Sequence, residues 1–261
     1  MISVVIPVYN RPSLVKRAIE SVLAQSLKAD EIIVVNDGSD DDTPLVLKSF
    51  NDKIKIITQK NSGVSSARNS GIKSVKNSWI CFLDSDDVWH KNKLEQQFAF
   101  HQHNPHILFS HTAEEWIRDG KPVKQKKQHK KPSGFCFEEN LNFCKIAPST
   151  VMIDKTIFDK VGYFDEALEV CEDYDMWLRV LNAFEAGLVD EVLTTKFAGH
   201  EQLSFKYHSM DKYRIEALLK HKEKEVVKVE IEKKSKILLK GAIKHGNKML
   251  IGFCEGVLES L

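Results

Sequence analysis

The chain has 261 residues and a net charge of +1, from 38 basic and 37 acidic side chains. Apolar residues make up 42% and charged residues 29%, the composition of an ordinary globular protein with chain enough for one large or two small domains. No basic excess points to nucleic acid, no apolar run reaches the ~18 residues that cross a bilayer, and the five cysteines form no CxxC, as expected of reduced thiols in a cytosolic protein.

Met1 to Val5 enters an apolar stretch with no basic leader, so no signal peptide is expected. Ser3 to Val8 reads as a strand buried on both faces. Pro12-Ser13 opens a helix with Leu14, Ala18, Val22 and Leu23 at helical spacing. Ile32 to Val35 is a second buried strand, and Thr43-Pro44 starts a second helix. Ile54 to Ile57 and Trp79 to Leu83 read as strands around a short helix at Ser65 to Ser74. An amphipathic helix from Lys91 to His103 and a fifth strand at Ile107 to Ser110 follow. This alternation predicts an α/β layer with a largely parallel sheet.

From Asp119 to Lys131 the pattern breaks into a lysine-rich segment without acids between its lysines. It reads as a solvated loop or, alternatively, as a clamp for an anionic acceptor or lipid phosphate. Ala147 to Ile153 predicts another strand, and Asp173 to Ala183 a helix with Trp177, Val180, Leu181 and Phe184 on its apolar face. From about Tyr207 the chain is helical and rich in lysine. Residues 1–205 are expected to form the catalytic domain, as halves 1–110 and 111–205, and residues 206–261 a helical appendage.

In an open parallel sheet ligands bind beyond the carboxyl ends of the strands. The polar clusters fall there: Tyr9-Asn10, Asn36-Asp37-Gly38-Ser39-Asp40, Asn61-Ser62-Gly63 with Arg68 and Asn69, and Asp84-Ser85-Asp86-Asp87. No GxGxxG follows the first strand and no GxxxxGK[ST] occurs, which disfavours dinucleotide and P-loop folds. Asp84, Asp86 and Asp87 crowded at one strand end call for a hard cation, Mg²⁺ or Mn²⁺, and such an ion keeps sites for phosphate oxygens. The expected ligand is therefore a diphosphate. Asp37, beside Gly38 at a strand end, is expected to contact it. Asp40-Asp41-Asp42 reads instead as an acidic turn.

Ser3 to Asn10, Val35 to Ser39, Gly63 to Asn69, Phe82 to Asp87 and Cys171 to Arg179 together resemble glycosyltransferase family 2, in order and at family-like spacing over residues 1–205. The resemblance implies a glycosyltransferase-A fold, a Rossmann-like three-layer sandwich taking a nucleotide-diphosphate sugar and a divalent metal. It implies that Pro7, Tyr9 and Asn10 line the nucleoside pocket, Asp37 bonds the base (commonly uracil) and Arg68 approaches the diphosphate. Asp84 would touch the ribose, and Asp86 would ligate the metal with His200. Glu172 would contact substrate beside the catalytic base, Asp173, and Ser149 would line the donor-sugar site. Trp177 reads as core.

The expected activity is inverting transfer of one sugar to a hydroxyl of a glycan, lipid-linked or protein acceptor in bacterial glycan assembly. No Gln-x-x-Arg-Trp occurs, so a single addition is expected rather than processive synthesis. A nucleotidyltransferase is disfavoured because Val8 to Arg11 lacks a glycine-rich loop, and a non-catalytic binder because Asp37, Asp86 and Asp173 are all present. The lysine-rich tail reads as a solvated bundle, a homodimer contact or a peripheral attachment to the inner face of an anionic membrane.

Overall fold

The computed structural model describes residues 1–124, 129–199 and 209–261. The first half alternates as expected: β1 (Ile2–Val8), α1 (Pro12–Leu23), β2 (Glu31–Asn36), α2 (Thr43–Lys48), β3 (Lys55–Thr58), α3 (Val64–Ser74) and β4 (Trp79–Phe82). These strands pair in parallel in the spatial order β3-β2-β1-β4. Alternate residues serve opposite faces. Val5, Ile33 and Phe82 enter the core beneath α3, while Val4, Val34 and Cys81 enter the core beneath α1. Burial on both sides explains the continuous apolar runs.

The second half departs from an all-parallel sheet. After β5 (Val88–Trp89) and α4 (Lys93–His103) come β6 (Phe109–Arg118), β7 (Lys121–Pro122), β8 (Met152–Asp154), α5 (Thr156–Val161), α6 (Glu172–Leu181) and β9 (Gly187–Ala198). Strand β8 runs antiparallel between β4 and β6, and β9 pairs parallel to β6 and antiparallel to β5. The strand expected from Ala147 is a 3₁₀ turn, Pro148–Thr150, before the short β8. The fifth strand begins at Phe109 and continues through ten residues. Strand β9 had no clean signal. It pairs with β6 through register shifts on either side of Ala113, so its apolar residues do not alternate. In the lysine-rich segment, Lys131 is drawn inward to Glu114, 2.9 Å away. Helices on both faces of the sheet give the expected three-layer α/β sandwich.

Three helices end the described chain: α7 (Met210–Leu219), α8 (Glu225–Lys244) and α9 (Lys248–Glu259). They share a core with α6. Ile215, Leu218, Val227 and Ile231 pack with Val170, Tyr174 and Leu178. The expected boundary at residue 205 lies outside the described residues.

Helix α3 lies unusually close to β1. A Cβ built on Gly71 would sit 2.3 Å from Val5 Cγ1, a distance no side chain tolerates. Gly71→Ala should therefore push α3 off the sheet and lower stability by about 1–3 kcal/mol, read from the urea denaturation midpoint. An unchanged midpoint would show that the helix has room to move.

Candidate active site

The chain passes from β1 outward to β2 and β3, then returns across β1 to β4. The carboxyl ends of β1 and β4 therefore form a topological switch point, the place where open α/β sheets carry their ligand crevice. Arg11, just past β1, meets Asp86, just past β4, at 2.7 Å. Arg17 of α1 donates to the Asp86 carbonyl at 2.9 Å.

The rim is stapled loop to loop. Asn10 adopts φ 51°, and its side-chain Nδ2 donates to Asp40 Oδ1 at 2.6 Å while its side-chain Oδ1 accepts from the Asp40 backbone N–H. Asp37 is buried and accepts from Gln59 Nε2 and from the backbone N–H groups of Ser62 and Gly63 at 2.8–3.0 Å. Gly38 beside it has φ 77°, and a Cβ there would lie 2.6 Å from Asn61 N. Only glycine lets the two loops approach so closely. Pro7 is buried within β1, whereas Tyr9 and Asn10 are exposed at the rim.

Arg68 of α3 is the centre of the site. Its guanidinium is 3% exposed and bridges Asp84, at 2.7 Å, and Glu172, at 2.6 Å. Burial alone would favour a neutral arginine, but Asp84 and Glu172 hold it charged. Burial would likewise raise Asp84, yet Arg68 and Lys196 keep it below the usual carboxylate range. Asn69 repeats the pattern one residue on, giving and taking hydrogen bonds with the Phe164 backbone. Expected to approach a diphosphate, Arg68 is committed here to two carboxylates, one at the end of β4 and one at the start of α6.

The acidic turn after β4 is organised from below. Ser149 Oγ donates to Asp87 at 2.6 Å and accepts from the Asp84 N–H at 3.0 Å. Ser149, expected to line the donor-sugar site, is fully buried and supports this turn from beneath. Lys196 of β9 donates to Asp87 at 2.6 Å and lies 3.9 Å from Asp84. Burial pushes Asp87 up, Lys196 pulls it back, and Asp86 and Asp84 push it up again. Lys196 is held protonated above its ordinary range despite burial.

Helix α6 supplies the remaining acids. Cys171, its N-cap, holds φ 63°, a left-handed conformation that costs a non-glycine residue about 1–3 kcal/mol and turns the chain sharply into Glu172. Burial and then the Glu172 charge raise Asp173 to about 6. Cys144 approaches Asp173 Oδ2 at 3.6 Å, with its thiol held neutral by burial. Asp175 is fully buried and paired with Arg179 and with Lys220, just past the end of α7. It is structural, and Trp177 is core.

A hard cation bound through one carboxylate, Asp86, would leave its other positions to a ligand's phosphates and water. Among the described residues no group of three or more His, Cys, Asp or Glu forms a complete cage. His200, the expected second ligand, lies outside the described residues. Arg11, Lys196 and Cys144 were not singled out in the sequence. Arg11 alone carried a signal, its position between a strand end and a helix.

Removing Arg68 would leave two carboxylates facing one another. Arg68→Met is expected to lower stability by about 3–5 kcal/mol in urea denaturation. Arg68→Lys should recover less than half of that loss, because one ammonium cannot fork to both acids. A fully stable Arg68→Met protein would remove the bridge from its central place.

Residues 3–162 match the sequence profile of glycosyl transferase family 2. An uncharacterized glycosyltransferase of Rickettsia prowazekii is 35% identical, over 74% of this chain and 62% of that protein. The Escherichia coli protein WfgD, a UDP-Glc:alpha-D-GlcNAc-diphosphoundecaprenol beta-1,3-glucosyltransferase, is 32% identical over 69% of this chain and 70% of its own length. The structure of Staphylococcus aureus TarS residues 1–349 with UDP-GlcNAc is similar in fold, with a TM-score of 0.69 at 21% identity, over 92% of this chain and 70% of that one. This chain spans about three-fifths of two rickettsial relatives and 35% of three longer ones. Arg68, Asp84, Asp86 and Glu172-Asp173, brought to one crevice, are the motifs of the resemblance, and the chain belongs to glycosyl transferase family 2.

Proposed function

We propose that this chain transfers a single sugar, with inversion, from a uridine-diphosphate sugar to a hydroxyl acceptor in bacterial glycan assembly. The observation that carries this reading is the Arg68 bridge, which brings the acidic turn of β4 and the Glu172-Asp173 pair of α6 to one crevice. The named activity of WfgD and the UDP and UDP-GlcNAc complexes of TarS support a UDP donor. WfgD also supports a lipid-linked acceptor.

In this reading Tyr9 and Asn10 flank the nucleoside at the exposed rim, with Pro7 behind them in β1. Asp37, its carboxylate already fixed by three donors, offers its remaining acceptor capacity to the base. Asp84 faces the ribose. Enzymes of this family are generally dependent on a divalent metal. Mg²⁺ or Mn²⁺ on Asp86, with His200, would supply Lewis-acid stabilisation of the departing diphosphate. Arg68 sets the position of Glu172 and so of the first turn of α6.

Asp173 takes the proton of the attacking hydroxyl. Its pKa of about 6 suits that task, since a base near neutrality is both ionised and basic enough to act. The transition state has oxocarbenium character, as in glycoside hydrolysis.

Asp173→Asn should bind UDP as the parent does and lose ~10²–10⁴-fold in transfer. The parent's kcat/KM should fall as pH drops below about 6, where Asp173 becomes protonated, and hold above it. Near-normal turnover of Asp173→Asn, or a flat acid limb, would remove Asp173 as the base. UDP with Mn²⁺ should raise the melting temperature more than UDP alone, and equal shifts would contradict a metal on Asp86.

A further inference from the structure

We propose that the outward face of α8 docks on an anionic lipid bilayer. This surface is separate from the crevice, and the inference does not depend on the sugar-transfer reading.

Helix α8 has two unlike sides. Val227, Ile231, Ser235 and Ala242 are buried on one. On the other, Val226, Val229, Ile237 and Ile243 are exposed, the last three at 57–60%. At ~100° per residue these four fall within about a third of the helix circumference. Isolated exposed aliphatics are ordinary, but four on one face are not. Valine and isoleucine are also poorer helix formers than the alternatives, so neither packing nor propensity accounts for them there. The apolar strip continues past the N-terminal end of α8. Phe135, 82% exposed, lines a groove of about 760 Å³ with Val226, and Met249 of α9 is 79% exposed.

The charges between these residues select the occupant. Lys233, Lys236, Lys240 and Lys244 lie on the same exposed face. Glu232 is paired with Lys236, and Glu225 with Lys228. No ion pair is found for Lys240 or Lys244 among the described residues. Lysine is depleted from the centres of protein interfaces, where its ammonium would be desolvated. At a bilayer surface the aliphatic groups can enter the headgroup boundary while lysine stems extend along it and the ammonium groups stay among lipid phosphates. Interleaved aliphatics and lysines therefore fit a negatively charged membrane better than a second protein.

The test is co-sedimentation of the full chain with vesicles of phosphatidylglycerol and phosphatidylcholine, against vesicles of phosphatidylcholine alone. The chain should sediment with the anionic vesicles only, and less so at high salt. Two double variants, Val229→Glu with Ile237→Glu and Lys240→Glu with Lys244→Glu, should each lower the bound fraction at least ~5-fold. All four positions are exposed, so folding should be kept, as checked by circular dichroism and an unchanged melting temperature. Failure of the parent chain to bind anionic vesicles, or undiminished binding by both variants, would overturn the proposal. So would a parent dimer that these variants dissolve in the absence of vesicle binding, because the face would then be a contact between copies.

Discussion

A guanidinium buried against two carboxylates is the constraint on which the rest of this site depends. Arg68 is almost wholly withdrawn from water, and its charge is tolerable only because Asp84 and Glu172 lie within hydrogen-bonding distance on either side. One acid ends a central strand and the other begins α6, more than 80 residues later in the chain. The bridge therefore fixes the acidic turn after β4 relative to the helix that carries Asp173. Gly71 brings α3 close enough to β1 for Arg68 to reach, and Asn69 adds neutral hydrogen bonds to the same junction. The left-handed Cys171 turns the chain so that Glu172 meets the arginine.

The helices after residue 209 belong to the same mechanical system. Lys220, just past α7, pairs with Asp175, one turn along from Glu172, and the aliphatic residues of α7 and α8 pack under Tyr174 and Leu178. Helix α6 is thus held by Arg68 at its first turn and by the terminal helices along its flank. The lysines of this region divide by role. Lys220 and Lys234 turn inward to carboxylates and carbonyls, whereas Lys240 and Lys244 face outward. The net charge of +1 conceals this separation of an acidic crevice from a basic outer face.

What was legible in the sequence follows from range. Ser3 to Val8 announced itself because a strand buried on both faces must be apolar throughout. Asp37, Asp84 and Asp86 were legible because they stand directly after such strands. Asp173 was read from its motif, and Trp177 from helical spacing. Strand β9 was not legible because its bulged pairing with β6 breaks the alternation that would mark it. Lys196 lies on that strand, and nothing local distinguishes it from a surface lysine. Ser149 was placed on a ligand surface because it precedes a strand, but its hydroxyl is taken up by Asp87 and the Asp84 N–H, more than 60 residues away in the chain. Long-range pairings of this kind are fixed by packing of the whole sheet, which no sequence window contains.

In the proposed transfer, Asp173 as the acceptor's base and the leaving diphosphate would stand at opposite ends of one displacement, with Arg68 setting their relation. Such a displacement has one stereochemical consequence. With a UDP-α-sugar as donor, the anomeric proton of the transferred sugar, observed by NMR in the first product formed, should show the large coupling of a β-linkage for a gluco-configured sugar. An α-linked product would contradict direct attack assisted by Asp173.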